Sequence, residues 1–386
     1  MSITSLDQQY VAGTYGRFPV ELVSGKGSIV CDSTGKEYID MTSGIGVTAF
    51  GFCDDVWAGA VAKQAQTLQH VSNLYYTEPC AKLAQLLCEK TGLSKVFFCN
   101  SGAEANECAI KYARKYSAEK KGPEYHTIIT LVNSFHGRTL TTLSATGQDH
   151  YHELFQPLTP GFIHVPAGDI EGLRKAVSEH PTAGILMEMV QGEGGVIPLD
   201  AEFVQAAAAI CKEQDIPLMV DEVQTGNGRT GKLYAYMHFG IQPDIVSTAK
   251  GLGGGLPIGA TMVSEKLKDV LKPGDQGSTY GGNPVACAGA LTVISRLTED
   301  FLNEVKAKSD YCFDALLHAE GVEDVTGMGL MIGIQTEAPA KEIVAACMEK
   351  GVLCLTAKDK VRLLPALNIP MEQLKKAIAV IIDACK

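Results

Sequence analysis

Seven short apolar runs punctuate the middle of the chain: VFFCN (96–100), TIITLV (127–132), FIHV (162–165), GILMEMV (184–190), PLMV (217–220), DIVSTA (244–249) and ATMV (260–263). Most are continuous rather than alternating, which predicts strands buried on both faces. Helical patterns separate several of them, such as AEANECAIKYARKYSAEKK, DIEGLRKAVSEH and AEFVQAAAAICKEQ. Strands alternating with helices predict an α/β domain with a mainly parallel sheet. Such sheets bind ligands beyond the carboxyl ends of their strands. The ends of the chain read differently. GSIVCDSTGKEYIDM is strand, turn, strand. The last hundred residues mix helices (KEIVAACMEKG, MEQLKKAIAVIIDACK) with short strands (GLMIGIQT, KVRLLPAL). The expected organisation is a large domain over 61–284 and a smaller α+β domain built from 1–60 and 285–386.

Polar groups collect where the runs stop. TIITLV is followed by Asn133, Phe135, His136 and Arg138. GILMEMV contains Glu188 and leads into Gln191 and Glu193. PLMV is followed by Asp221, Glu222 and Gln224, and DIVSTA ends at Lys250. Packing alone does not explain four neighbouring runs that deliver polar groups at one edge.

Composition narrows the function. The chain has 386 residues, 46% apolar and 20% charged, in the ordinary globular range. No apolar stretch approaches the ~20 residues of a membrane helix, and the N-terminus lacks a secretory pattern. A net charge of −11 speaks against sequence-independent nucleic-acid binding. It leaves anionic substrates open, because a few local arginines outweigh a diffuse acidic surface. The twelve cysteines contain no CxxC pair and read as free thiols of a reducing cytoplasm. The His150–His152 pair has no second ligand cluster near it and reads as a surface pair, so no metal is expected.

Two glycine-rich stretches are decoys. GNGRTGKL (226–233) nearly matches the phosphate-binding loop, but Leu233 stands where the magnesium-binding hydroxyl belongs. GLGGGLPIG satisfies no dinucleotide fingerprint in any frame. Lys250 alone reads as a snorkelling surface lysine, or as an imine-forming amine whose pKa burial lowers. Asp221, at a neighbouring strand end, favours the second reading, because a carboxylate there could keep a pyridine nitrogen protonated. SGAEANE (101–107) is a strand-to-helix turn. Its Ser101 hydroxyl and the N–H groups of Gly102 and Ala103 would face a phosphate, although a plain serine cap explains the turn equally well. An amine, an acid partner and a phosphate cradle together point to pyridoxal phosphate.

The chain resembles the class III (subgroup II) aminotransferases of the fold-type-I pyridoxal-phosphate enzymes. The resemblance rests on SNLYYTEP, NSGAEANE, NSFHGRTL, LSATGQ, QGEGGV, DEVQTGNGRTGKL, AKGLGGGLPIGA, GSTYGGNP and GLMIGI. It implies a mostly parallel seven-stranded sheet in the large domain, and a cytoplasmic homodimer with shared active sites. Lys250 would hold the cofactor and shuttle the proton, and Asp221 would pair with the pyridine nitrogen. Val223 and Phe135 would pack on the two ring faces, Gln224 would lie near the phenolic oxygen, and His136 would be a further cofactor contact. Ser101, Gly102 and Ala103 would bind the phosphate, joined by Thr279 of the partner subunit. Arg138 would grip the α-carboxylate of the amino donor and the side-chain carboxylate of glutamate. Arg362 would take the α-carboxylate of glutamate, with Glu193 neutralising it otherwise; a plain structural salt bridge is the alternative. Ser278, Asn73 and Tyr75 would line the substrate pocket, and Gly16, Arg17 and Phe18 its entrance.

The implied reaction moves an amino group from N2-acetylornithine to 2-oxoglutarate, in arginine biosynthesis. The alternative donors are ornithine, succinylornithine, succinyl-diaminopimelate and 4-aminobutyrate. A protein that keeps pyridoxal phosphate or a nucleotide without turnover is the non-enzymatic alternative, against which Lys250 and Asp221 speak. Two departures stand out. The family's GHCHP reads GFCDD (51–55), and its EPIQGE reads EMVQGE, with Met189 in place of proline.

Overall fold

The computed structural model describes residues 2–386. All seven apolar runs become strands of one sheet: β1 (Lys95–Cys99), β2 (Thr127–Leu131), β3 (Phe162–Val165), β4 (Thr182–Met187), β5 (Leu218–Asp221), β6 (Ile245–Thr248) and β7 (Gly259–Val263). Their order across the sheet is β1-β7-β6-β5-β4-β2-β3. Pairings from β6 to β3 are parallel, whereas β7 runs antiparallel to both neighbours. Side chains alternate between two cores. Ile129, Ile185, Val220 and Val246 belong to one apolar cluster, while Ile128, Leu186, Met219 and Ile245 belong to the other. A strand covered on both faces needs apolar residues at odd and even positions alike, which is why the runs are continuous.

The register levels the chemistry. Met187 lies opposite Val220, and Asp221 opposite Ser247. Glu188, Asp221 and the segment reaching Lys250 therefore leave the sheet at one edge. β7 enters at that same edge, with Gly259 opposite Cys99. A Cβ on Gly259 would sit 2.3 Å from the Ser101 carbonyl oxygen, so only glycine lets β7 close against the turn after β1.

Both chain ends meet in a second region. Leu22–Lys26, Ile29–Asp32 and Glu37–Asp40 form an antiparallel meander, and Val352–Leu353 joins its last strand in parallel. A further sheet holds Val322–Met328, Met331–Thr336, Lys360–Leu363 and Leu355–Ala357, in that order. The expected boundary after residue 60 falls inside the helix Asp55–Thr67, and that after 284 inside Pro284–Arg296. A helix forms cooperatively, so a division belongs outside it. The GFCDD departure has a local explanation. Asp54 caps Asp55–Thr67 by accepting the Trp57 N–H at 2.9 Å, and it pairs with Arg296 at 2.8 Å. Met189 is fully buried in the larger core. The GNGRTGKL stretch holds no open phosphate loop. Arg229 within it is buried and donates to the carbonyls of Leu330 (3.0 Å) and Pro365 (2.6 Å), tying the sheet region to the C-terminal region.

Candidate active site

A cavity of about 690 Å³ opens at the carboxyl edge of the sheet. Ser101, Gly102, Ala103, Phe135, His136, Arg138, Asp221, Val223, Gln224 and Lys250, all expected at one site, line it together. Its size is that of a small-molecule or cofactor pocket.

Asp221 ends β5 and is buried. Its Oδ2 lies 2.8 Å from His136 Nδ1 and accepts from Asn106 Nδ2 at 2.7 Å, while Oδ1 accepts the Val223 N–H at 2.9 Å. Three partners hold a carboxylate that burial would otherwise penalise. Asn106 also donates to the His136 carbonyl at 2.9 Å, so the helix Gly102–Lys121 and the loop after β2 brace Asp221 jointly. The sequence reading missed Asn106. An amide among the buried, mostly apolar positions Ala105, Ala109, Ile110 and Ala113 was its only trace in the sequence.

Ser101 caps that helix, its Oγ accepting from the Glu104 N–H at 3.2 Å. The cap alternative is therefore correct, and it leaves the first turn of the helix open to the cavity. The first N–H groups of a helix have no partner within it, so those of Gly102 and Ala103 remain for an anion. A Cβ on Gly102 would lie 2.6 Å from Val223 Cγ1, so glycine lets this turn approach Val223.

Lys250 follows β6 in a left-handed conformation, with φ of 42°. Such a backbone is strained for a non-glycine residue and recurs where function demands an orientation. The residue is half-buried and lines the cavity. Burial lowers its pKa below the usual lysine range; Glu193 opposes this and Arg362 reinforces it. A lowered pKa leaves more of the amine unprotonated and nucleophilic near neutrality.

The two arginines differ. Arg362, on the strand Lys360–Leu363, is buried and pairs with Glu193 Oε1 at 2.6 Å. Gln224 completes this cluster, accepting from Arg362 at 3.2 Å and donating to Glu193 at 3.3 Å. It sits with the arginine as well as at the cavity wall. Burial alone would raise the Glu193 carboxyl, but Arg362 overrides it and holds it below the ordinary range. Arg138 is exposed at the cavity mouth. Its guanidinium lies 5.4 Å from the Phe135 ring centre and 4.1 Å from that of Tyr151, a residue the sequence reading did not single out. Glu188 is buried below. It accepts the Phe135 N–H at 3.0 Å, and burial pushes its carboxyl up to about 7.

Other expected residues lie elsewhere. Asn73, Tyr75, Ser278 and Thr279 line a neighbouring cavity of about 430 Å³. Asn73 donates to the carbonyls of Ser278 (3.0 Å) and Gly281 (2.9 Å), so it braces that loop. Ser278 Oγ accepts from Asn100 at 3.1 Å, beside the Ser101 turn. Gly16, Arg17 and Phe18 line a third cavity of about 410 Å³, and only Tyr15 of this segment also reaches the Lys250 cavity. His152 is buried with Nε2 at 2.9 Å from the Leu143 carbonyl, so it is no surface pair with His150.

Comparison with known proteins agrees with this geometry. A family model described as "Aminotransferase class-III" matches residues 10–385. The chain is 49% identical over 381 residues to an acetylornithine aminotransferase of Haemophilus ducreyi, covering 98% of this chain and 97% of that protein. It is 46% identical to one from Methanocaldococcus jannaschii, covering 97% and 95%. Among solved structures, an ornithine aminotransferase from Toxoplasma gondii superposes with a TM-score of 0.94 at 32% identity, over 99% of this chain and 93% of that one. An N-acetylornithine aminotransferase from Stenotrophomonas maltophilia does so with a TM-score of 0.86 at 32% identity, over 99% and 98%. With the match running through every strand of the sheet and both arginines, the chain belongs to the class-III aminotransferases.

Proposed function

We propose that this chain uses pyridoxal phosphate to transfer the terminal amino group of N2-acetylornithine to 2-oxoglutarate. The products would be N-acetylglutamate 5-semialdehyde and glutamate, a step of arginine biosynthesis. Relatives named acetylornithine aminotransferase at 41% to 49% identity support the donor. The observation that carries the reading is the contrast between the Arg362–Glu193 pair and an Arg138 that has no acidic partner among the described residues. A neutral acylated chain meets no bare charge at Arg362, while a carboxylate finds Arg138.

When bound, pyridoxal phosphate supplies an aldehyde that takes up the amino group and an electron-poor ring that stabilises charge left on carbon. The chain's own residues fit it. Ser101, Gly102 and Ala103 would hold the phosphate at the helix N-terminus. Asp221, fixed by His136, Asn106 and the Val223 N–H, would hold the pyridine nitrogen protonated. Phe135 and Val223 would cover the ring faces and exclude water. Lys250 would hold the aldehyde carbon through its amine and move a proton at Nζ. Arg138 would orient each substrate by a bidentate grip that lysine does not reproduce. Arg362 would bind the second carboxylate of glutamate once Glu193 yields it.

The assembly belongs to the same proposal. Thr279, Tyr75 and the exposed Leu74, Tyr76 and Tyr280 surround or flank the second cavity, which supports a homodimer that shares its sites. A two-part division near 61 and 285, with cuts outside both helices, and a cytoplasmic location complete it. Among the described residues no helix is long and apolar enough to cross a membrane.

The test compares kcat/KM for acetylornithine, succinylornithine, ornithine and 4-aminobutyrate with 2-oxoglutarate as acceptor. Acetylornithine is expected to lead. A far larger value for ornithine would reject the substrate reading. An absorbance band near ~420 nm that is lost in Lys250→Ala tests the cofactor separately. A band that no amino donor changes would favour the non-catalytic alternative.

A further inference from the structure

Arg138 takes part in none of the ion pairs among the described residues, and no side-chain hydrogen bond fixes its guanidinium. A long, exposed arginine without a partner should sweep many rotamers, and binding a ligand would have to stop that motion. Yet this guanidinium is packed. It lies 4.1 Å from the centre of the Tyr151 ring, closer than to the Phe135 ring at 5.4 Å. Tyr151 is half-buried at the end of the short turn Asp149–Tyr151. It stands edge-on to Phe135, with centroids 5.9 Å apart and planes at 72°, and the His150 ring lies 3.8 Å from it. The turn is anchored, because the Tyr151 N–H donates to the Gln148 carbonyl at 3.1 Å and Gln148 Nε2 donates to that of Ser134 at 3.0 Å.

An acid in place of Tyr151 would also hold Arg138, but it would occupy the fork that a substrate carboxylate needs. An aromatic face attracts the cation through its quadrupole and leaves every N–H of the guanidinium free. We propose that Tyr151 is a positioning residue that sets carboxylate affinity. Its ring presents Arg138 to the substrate carboxylate in place of an acidic counter-ion. The inference rests on the reading of Arg138 as the carboxylate grip. It adds the residue that makes this grip effective in both half-reactions.

Glutarate, a five-carbon dicarboxylate that cannot react, is the probe. Its Kd is measured by calorimetry with the holoenzyme for wild type, Tyr151→Leu, Tyr151→Phe and Arg138→Ala. Tyr151→Leu should weaken binding about two- to thirty-fold, the span from a solvated to a ligand-covered cation–π contact. Tyr151→Phe keeps the ring and should stay within about two-fold of wild type, since the proposal gives the hydroxyl no role. In turnover, Tyr151→Leu should raise KM for donor and acceptor alike with little change in kcat. If Tyr151→Leu binds glutarate as wild type does while Arg138→Ala loses it, the role of Tyr151 is overturned and the reading of Arg138 stands. If Arg138→Ala binds normally, both fall. A fall in kcat at unchanged KM would also overturn the proposal, because it would place Tyr151 behind Phe135 rather than Arg138. Should Tyr151→Leu lack the wild-type circular dichroism spectrum, Tyr151→Met removes the ring with a more adaptable side chain and is judged by the same outcomes.

Discussion

The cavity mouth and the strand Lys360–Leu363 of the C-terminal region each carry an arginine, and they keep it in opposite states. At the mouth, Arg138 is exposed and stacked on rings, with its charge uncompensated. On the strand, Arg362 is buried and its charge is offset by Glu193 at 2.6 Å. The difference follows from desolvation. A buried guanidinium without a partner is costly, so Arg362 needs an acid such as Glu193 beside it. An exposed one is hydrated and needs only to be kept in place. On the proposed function, Arg138 would be a permanent carboxylate site and Arg362 one that a second carboxylate would have to win from Glu193.

Three substitutions break or sharpen this contrast. Arg138→Ala removes the proposed permanent site and should raise the activation free energy behind kcat/KM for both substrates by about 1.5–3 kcal/mol, the weight of a hydrogen bond to a charged group, read by steady-state kinetics. Glu193→Gln bares Arg362. It should shift preference from acetylornithine toward donors with a free α-carboxylate near Arg362, by on the order of ten-fold in relative kcat/KM, as a charge-assisted hydrogen bond changes hands. An unchanged ratio would mean that the pair is only structural. Lys358, at the tip of the hairpin, donates to Asn133 Oδ1 at 2.6 Å and links the two regions. Lys358→Ala should raise KM for 2-oxoglutarate by less than about five-fold, the weight of one exposed hydrogen bond.

The smallest effect concerns pH. Glu222, buried behind Asp221, accepts from Thr225 Oγ1 (2.6 Å) and the Tyr236 N–H (2.8 Å), and burial raises its carboxyl to about 7. The folded chain then binds more protons than the unfolded one between its ordinary value of 4.5 and about 7, so its contribution to stability falls as pH rises through that window. Glu188 acts in the same direction. Glu193, held low, acts oppositely, and its contribution disappears only as pH falls below the ordinary carboxylate range. Glu222→Gln should flatten the fall in Tm between pH 5 and pH 8, by about a few degrees. A slope unchanged by the substitution would show that Glu222 does not titrate there.

Much of the site was legible because the chemistry sits at strand ends. Asp221 and Lys250 each follow an apolar run, and a parallel sheet brings such ends together. Asn106 could be seen as an amide on a buried helix face, but its partner Asp221 was not legible, because the contact of that face with the end of β5 is set by packing. Tyr151 was hidden for a similar reason: nothing local in GQDHYHE marks a ring that will meet Arg138. Asn73, Tyr75 and Ser278 were expected in the substrate pocket, and their separation from Lys250 within one chain was not legible, because it depends on how distant loops pack.

By itself, the order of residues determined seven apolar strands, most of them buried on both faces, the alternation with helices and the residues available at each strand end. These follow from short-range periodicity and from the need to cover both sheet faces. Only the tertiary structure decided the strand order, the reversed direction of β7, the three-fold brace on Asp221 and the different partners of the two arginines. Those depend on contacts between residues far apart along the chain, where register and packing, rather than local preference, choose the neighbour.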